Sequence, residues 1–75
     1  MLNNNENSDF ENAVEVNSVP EEYILLDMLH PDGYMLIMQQ LLFNNEKPYD
    51  RLDILLNDGT EKSYYFNISS FYGKY

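Results

Sequence analysis

The side chains that could do chemistry are few in this chain, which has one histidine and no cysteine. His30 has no second imidazole with which to share a metal ion, and it precedes Pro31 in a predicted turn, so we expect a solvated turn residue. No serine stands in a G-x-S-x-G motif. The absence of cysteine excludes a thiolate nucleophile and a disulfide framework.

The carboxylates of the second half of the chain are the remaining candidates for chemistry. Asp50, Asp53 and Asp58 do not have the spacing of an EF-hand loop, and the nearby Lys47 and Arg51 would oppose a cation. We expect these carboxylates to be surface charges and turn formers. The three glycines are isolated, so no phosphate-binding loop is predicted. The sequence therefore predicts no catalytic residue, no cofactor and no metal, and it favours a protein that is not an enzyme.

Acidic residues dominate the charge, with 13 Asp and Glu against 4 Lys and Arg and a net charge of −9. No Lys or Arg occurs before Lys47, so the excess lies in the first half of the chain. The acidic residues there are Glu6, Asp9, Glu11, Glu15, Glu21, Glu22, Asp27, Asp32 and Glu46. Such a field repels nucleic acid and anionic membranes and attracts basic protein surfaces, the more strongly at low salt.

Composition divides the 75 residues near Pro20. Residues 1–19 are rich in Asn, Glu and Ser, which predicts a flexible acidic tail, and residues 20–75 form a single small folded domain. An alternative for the tail is a short docking helix, because Ser8–Glu11 has capping-box spacing and Phe10, Ala13 and Val14 share one helical face. The start of the chain lacks a positive segment followed by an apolar run, so we expect a cytoplasmic protein.

Two turn motifs organise the folded domain, His30-Pro31-Asp32-Gly33 and Asn57-Asp58-Gly59-Thr60. Each lies between apolar runs and predicts a hairpin connection. The expected fold is mostly β, or small α+β, with a single antiparallel meander of about four strands in two hairpins. The predicted strands are Tyr23 to Leu29, Tyr34 to Phe43, Arg51 to Leu56 and Lys62 to Ile68, and the two hairpins are joined by a loop over 44–49.

A helical alternative exists for the first hairpin. Ser18-Val19-Pro20-Glu21 has the pattern of a helix start, with a proline just inside it. Leu, Met and Gln are good helix formers, so residues 21–29 or 35–42 could each be helical. For the second hairpin the alternation of apolar and polar residues favours strands more clearly.

Apolar residues occupy both faces of the predicted first hairpin, whereas the second hairpin has one polar face that carries Arg51, Asp53, Tyr65 and Asn67. A chain of this length has little material with which to cover a second apolar face. We therefore expect that face to meet another chain, in a homodimer or with an obligate partner, unless the segment after Ser69 folds over it.

Aromatic residues crowd the last dozen positions, and exposed tyrosines there could anchor a partner. By class analogy, a short, acidic, cysteine-free chain resembles the small inhibitors that mobile elements use against nucleic-acid-handling proteins, in which carboxylates stand where phosphates would lie. The predicted partner is a basic protein surface, with no direct contact to nucleic acid or membrane. The alternatives are an immunity or antitoxin-like protein that blocks an enzyme active site, and a structural or adaptor subunit of an oligomer. The candidate partner-binding residues are Glu6, Asp9, Phe10, Glu11, Glu15, Glu21, Glu22, Asp27, Tyr65, Tyr72 and Tyr75.

Overall fold

The computed structural model describes residues 10–73 and contains one helix and one mixed sheet within them. The elements in chain order are β1 (Val14–Glu15), α1 (Val19–Leu29), β2 (Tyr34–Asn44), β3 (Lys47–Leu56) and β4 (Glu61–Asn67). The strand order in the sheet is β1-β4-β3-β2. Strands β2, β3 and β4 form an antiparallel meander, and β1 pairs in parallel with β4. The prediction of a mostly β protein is confirmed, whereas the purely antiparallel meander is wrong.

The first predicted strand, Tyr23 to Leu29, is a helix in the structure. Ser18 stands before the helix with an extended backbone, and Pro20 supplies a fixed φ in the first turn. Glu21 Oε1 accepts a hydrogen bond of 2.7 Å from the backbone N–H of Asn17, which fixes the chain just before the helix. These local interactions, together with the helix-forming leucines, outweigh the apolar run that favoured a strand.

Strand β1 was not predicted, and it comes from the segment 1–19 that the sequence assigns to a flexible tail. Val14 and Glu15 pair with β4, and the N–H of Val16 donates a 3.1 Å hydrogen bond to the carbonyl of Asn67. Val16 itself is fully buried. β1 lies at one edge of the sheet and β2, the next strand in the chain, lies at the other. The chain reaches the second edge through α1, which crosses the sheet, and this crossover lets β1 lie parallel to β4. Of the predicted tail over 1–19, residues 1–9 lie outside the described residues.

The turns explain how the chain reverses direction. Gly33 and Gly59 take the positive φ values of 101° and 88° that the turn motifs require. The second motif joins β3 to β4 as predicted, but the first joins α1 to β2 and is not a hairpin. The predicted loop over 44–49 is a two-residue turn instead, because Asn45 and Glu46 both have positive φ and β3 already begins at Lys47.

The core lies between α1 and one face of the sheet. It consists of Val16, Leu26, Leu52, Ile54, Phe66 and Ile68. On the opposite face Phe10 packs edge-on against Tyr49 and Tyr65, at centroid distances of 4.9 and 5.0 Å. The predicted polar face of the second hairpin is also found there, where Asp53 bonds Arg51 and accepts a hydrogen bond from Ser63. The helix therefore covers only one side of a two-layer structure.

Candidate interaction surface

Strand β2 forms an open edge of the sheet within residues 10–73. It pairs with β3 on one side, and no other described strand adjoins it. A free edge presents unpaired N–H and C=O groups that can hydrogen-bond to another strand. Natural edges are commonly protected by lysine, proline or short length, but β2 has 11 residues and none of them is charged or proline.

Apolar side chains are exposed on both sides of β2. The pairing with β3 places Leu36, Leu41 and Phe43 on the face that α1 covers elsewhere, and Met35 and Met38 on the opposite face. Ile37 lies at an irregularity in the register. The exposed fractions of these six side chains range from 39% to 64%. Together they offer on the order of 500 Å² of exposed apolar surface, divided between the two faces of the strand, and this is the size range of apolar patches that often mark interaction sites.

The sequence indicates part of this surface, because the apolar residues over 34–43 follow neither the two-residue period of a half-buried strand nor the 3.6-residue period of a helix. What it does not reveal is that α1 leaves most of β2 uncovered, apart from contacts such as that of the Tyr23 hydroxyl with Gln39, because this depends on the strand order. A signal that could have located the edge is the absence of charge from residues 34–44 in a chain of net charge −9. Most solvated strands carry charge on at least one face.

The acidic residues predicted to bind a partner are distributed unevenly. Glu6 and Asp9 lie outside the described residues, as does Tyr75. Glu11, Glu15 and Asp27 are exposed. Glu15 lies in β1, at the edge opposite β2, whereas Glu11 lies near Asn45 and Lys47 of the β2–β3 turn. Glu21 is half-buried and holds the backbone of Asn17. The two edges of the sheet therefore differ, since one is uncharged and apolar and the other is acidic.

Glu22 differs from the other predicted acids because it is fully buried. It has no exposed surface to offer a partner in this conformation. Asp50, which the sequence places among the surface charges, is only 6% exposed, so that prediction is wrong. Both carboxyl groups lie on the side of the sheet that α1 covers, and no described group donates a hydrogen bond to either oxygen of Glu22.

The burial of Glu22 changes its protonation. Burial is the largest cause, because it disfavours the charged form of Glu22. The adjacent Asp50 carboxylate adds to this effect, since it accepts a hydrogen bond from a protonated Glu22 and repels an ionised one. Together these effects raise the pKa of Glu22 from 4.5 to about 8. Two ionised carboxylates have no hydrogen to share. Glu22 and Asp50 can therefore form a hydrogen bond only when Glu22 is protonated and donates to Asp50. At neutral pH Glu22 therefore adds no negative charge to the surface.

The predicted aromatic anchors are engaged within the chain. Phe10 and Tyr65 contact each other and are half-buried, and Arg51 lies over the Tyr65 ring at 5.8 Å. Tyr72 is 38% exposed and packs edge-on against Phe43 at a centroid distance of 5.7 Å. Tyr72 therefore extends the exposed apolar surface of β2 at the end near Asn44, whereas Phe10 and Tyr65 belong to a separate cluster.

A second apolar surface is a groove of about 480 Å³ on the β4 side of α1. Its lining includes Val14, Leu25, Met28, Leu29 and Tyr64. Met28 is the most exposed of these, at 71%. The groove is open and mostly apolar, and the hydroxyls of Ser63 and Tyr64 in its lining are already engaged in hydrogen bonds within the chain.

His30 is more structural than the sequence suggests. Its backbone N–H bonds the carbonyl of Leu26 and ends α1, and its Nε2 is 2.7 Å from the hydroxyl of Tyr64. The imidazole is half-buried and is not a solvated turn residue. Residues 10–73 contain no group of three His, Asp or Glu side chains placed to hold a metal ion. His30 and Tyr64 thus form a bonded pair that connects the end of α1 to β4.

Comparisons with known proteins found no matching protein-family model, no matching curated protein and no matching solved structure. No helix in the described part of the chain has the length and apolar character needed to cross a membrane.

Proposed function

We propose that this protein is a non-enzymatic protein-binding module and that β2 is its binding element. The observation that supports the proposal is an uncharged 11-residue edge strand with six exposed apolar side chains. A partner can add a strand to such an edge, gaining main-chain hydrogen bonds along β2 and apolar contacts from both of its faces. A binding role also agrees with the use of His30 and Ser63 in internal hydrogen bonds.

The charge of the chain supports a proposal about the target. Glu15 is exposed at the β1 edge, Glu11 is exposed four residues before it in the chain, and the sequence adds Glu6 and Asp9. We propose that this acidic edge binds a basic surface, such as that of a nucleic-acid-handling protein, and inhibits it by occupying the place of phosphates. An immunity-like protein that blocks an active site, or an adaptor subunit, would use β2 and depend less on charge.

The test is a pull-down with the tagged full chain from a bacterial lysate, washed at low and high salt, with and without duplex DNA. Met38→Lys places a charge on β2, where the new ammonium group would lie opposite Asp53. Met28→Lys makes the same change on α1, away from β2, and is the matched control. We expect Met38→Lys to lose the partner and Met28→Lys to keep it.

The double variant Glu11→Gln and Glu15→Gln tests the acidic edge separately. If a basic nucleic-acid-binding protein is the target, this variant should retain less of it, and duplex DNA should displace it from the unmodified chain. A partner that survives high salt and ignores both DNA and the double variant would contradict the inhibitor proposal. A partner that is insensitive to Met38→Lys but is lost with the double variant is bound by the acidic edge, and insensitivity to both changes would contradict both binding surfaces.

A further inference from the structure

The distribution of charge over the chain indicates which partner can occupy the β2 edge. The chain has a net charge of −9, and acidic residues are exposed on β1, on α1 and in the turns. Two copies that approached through those surfaces would repel each other. Strand β2 is the one element of the described chain in which 11 consecutive residues carry no charge. Here a second copy can approach without bringing like charges into direct opposition.

Symmetry also favours self-pairing of this strand. In an antiparallel pair of identical strands, a twofold axis near the middle of the strand makes each half contact the other half of its partner. Gln39 and Gln40 lie at the middle of β2, and apolar residues flank them on both sides. The polar amides would therefore meet near the axis, where they can bond each other, while the apolar groups pack on either side.

The available area is adequate for a stable pair. The six exposed apolar side chains, the backbone of the edge and the neighbouring Gln39, Gln40 and Tyr72 offer on the order of 600–800 Å² per copy. Stable protein interfaces bury roughly 800 Å² on each partner. Because unpaired edge groups are satisfied at the same time, a dissociation constant on the order of micromolar is expected.

We propose that β2 pairs antiparallel with β2 of a second copy, which joins the two four-stranded sheets into one continuous sheet with an acidic β1 at each end. This inference rests on the proposed role of β2 as the binding element and names its partner. Residues 1–9 are a poor alternative occupant, because their sequence MLNNNENSD has only two apolar residues to set against the six exposed on β2.

The first experiment is sedimentation velocity of the full chain from about 0.1 to 100 μM. We expect a reversible monomer–dimer equilibrium that strengthens as salt screens the acidic surfaces. Met38→Lys and Leu41→Lys charge opposite faces of β2, and each should raise the dissociation constant by about 100-fold or more, since a symmetric interface contains the change twice. Met28→Lys on α1 should leave it unchanged. A dimer weakened by Met28→Lys but not by the β2 variants would overturn the proposal.

Amide hydrogen exchange in β2 separates this proposal from the more general one. Outward-facing amides of β2 should be protected at high protein concentration and exchange rapidly in the Met38→Lys monomer. A monomer at every concentration with rapidly exchanging β2 amides would exclude the second copy and leave the edge open for another protein. A monomer with protected outward-facing amides would show that the chain covers its own edge, which would contradict both proposals.

Discussion

Glu22 on α1 and Asp50 on β3 form a buried pair of carboxyl groups between the helix and the sheet. Glu22 is fully buried and Asp50 is 6% exposed. Burial and the neighbouring Asp50 raise the pKa of Glu22 to about 8. The folded state therefore holds a proton that the unfolded chain, with an ordinary glutamate pKa of 4.5, releases well below neutral pH.

The first prediction is that stability falls as pH rises from about 4.5 to 8. Because the pKa of Glu22 is higher in the folded state, its contribution is complete below pH 4.5 and is lost as pH rises through about 8. The slope should approach about 1.4 kcal/mol per pH unit within that window. Urea unfolding at a series of pH values measures it.

Glu22→Gln should remove this dependence, because the amide keeps the size of the side chain and can donate to Asp50 without ionising. The variant should be more stable than the unmodified chain at pH 8, and Glu11→Gln, which removes an exposed acid, is the control. Asp53 affects stability in a separate pH range. Hydrogen bonds from Ser63 and Arg51 lower its pKa, so its contribution to stability is lost only as pH falls below 3.8. Parallel pH curves for Glu22→Gln and the unmodified chain would refute the assignment.

The second prediction concerns the turn between β2 and β3. Asn45 and Glu46 both have positive φ, at 53° and 65°, and glutamate is poorly suited to this region. Glu46→Gly should raise the free energy of unfolding by about 0.5–1 kcal/mol, because Asn-Gly is the preferred pair for such a turn. Thermal unfolding measures the change. Asp32→Gly, in a turn position without positive φ, removes the same charge and should bring no gain.

The sequence predicts the sheet better than it predicts the edges of the sheet. The turn at Asn57–Thr60 and the alternation on both sides of it are local features, so β3 and β4 are correctly predicted as strands, although β3 begins at Lys47 and not at Arg51. The helix at Val19–Leu29 is predicted only as the alternative to a strand, because its apolar residues fit both structures and the deciding contact at its start is a single hydrogen bond. Periodicity cannot separate these alternatives over a short apolar run.

The burial of Glu22 could not be predicted in the same way. A glutamate in the first turn of a helix is normally solvated, and its environment here depends on Asp50, which lies 28 positions further along the chain. The pairing of β1 with β4 likewise joins residues from opposite ends of the sequence. Both features follow from the path of α1 across the sheet, and no local pattern encodes that path.

The third prediction is that the core depends on a single helical side chain. Leu26 is fully buried against Leu52 and Ile54, so Leu26→Ala should lower the free energy of unfolding by about 2–5 kcal/mol. For a chain of this size such a loss is a large part of the total stability. Ile24→Ala lies on the same helix at a site that is 55% exposed, and it should cost less than about 1 kcal/mol. Equal losses from the two variants would show that α1 does not pack as described.

The fourth prediction tests the contact between the end of α1 and β4. Tyr64→Phe removes the hydroxyl that lies 2.7 Å from His30 Nε2, while the ring that packs edge-on against the imidazole remains. The variant should lose about 1 kcal/mol of stability, the usual worth of one hydrogen bond. Because His30 is the one histidine of the chain, its ring signals in a proton NMR spectrum report this contact without ambiguity. They should shift in Tyr64→Phe and stay in place in Tyr72→Phe, whose ring packs on Phe43 at the far end of β2. Unchanged His30 signals in Tyr64→Phe would mean that the hydrogen bond does not form and that His30 ends the helix through its backbone alone.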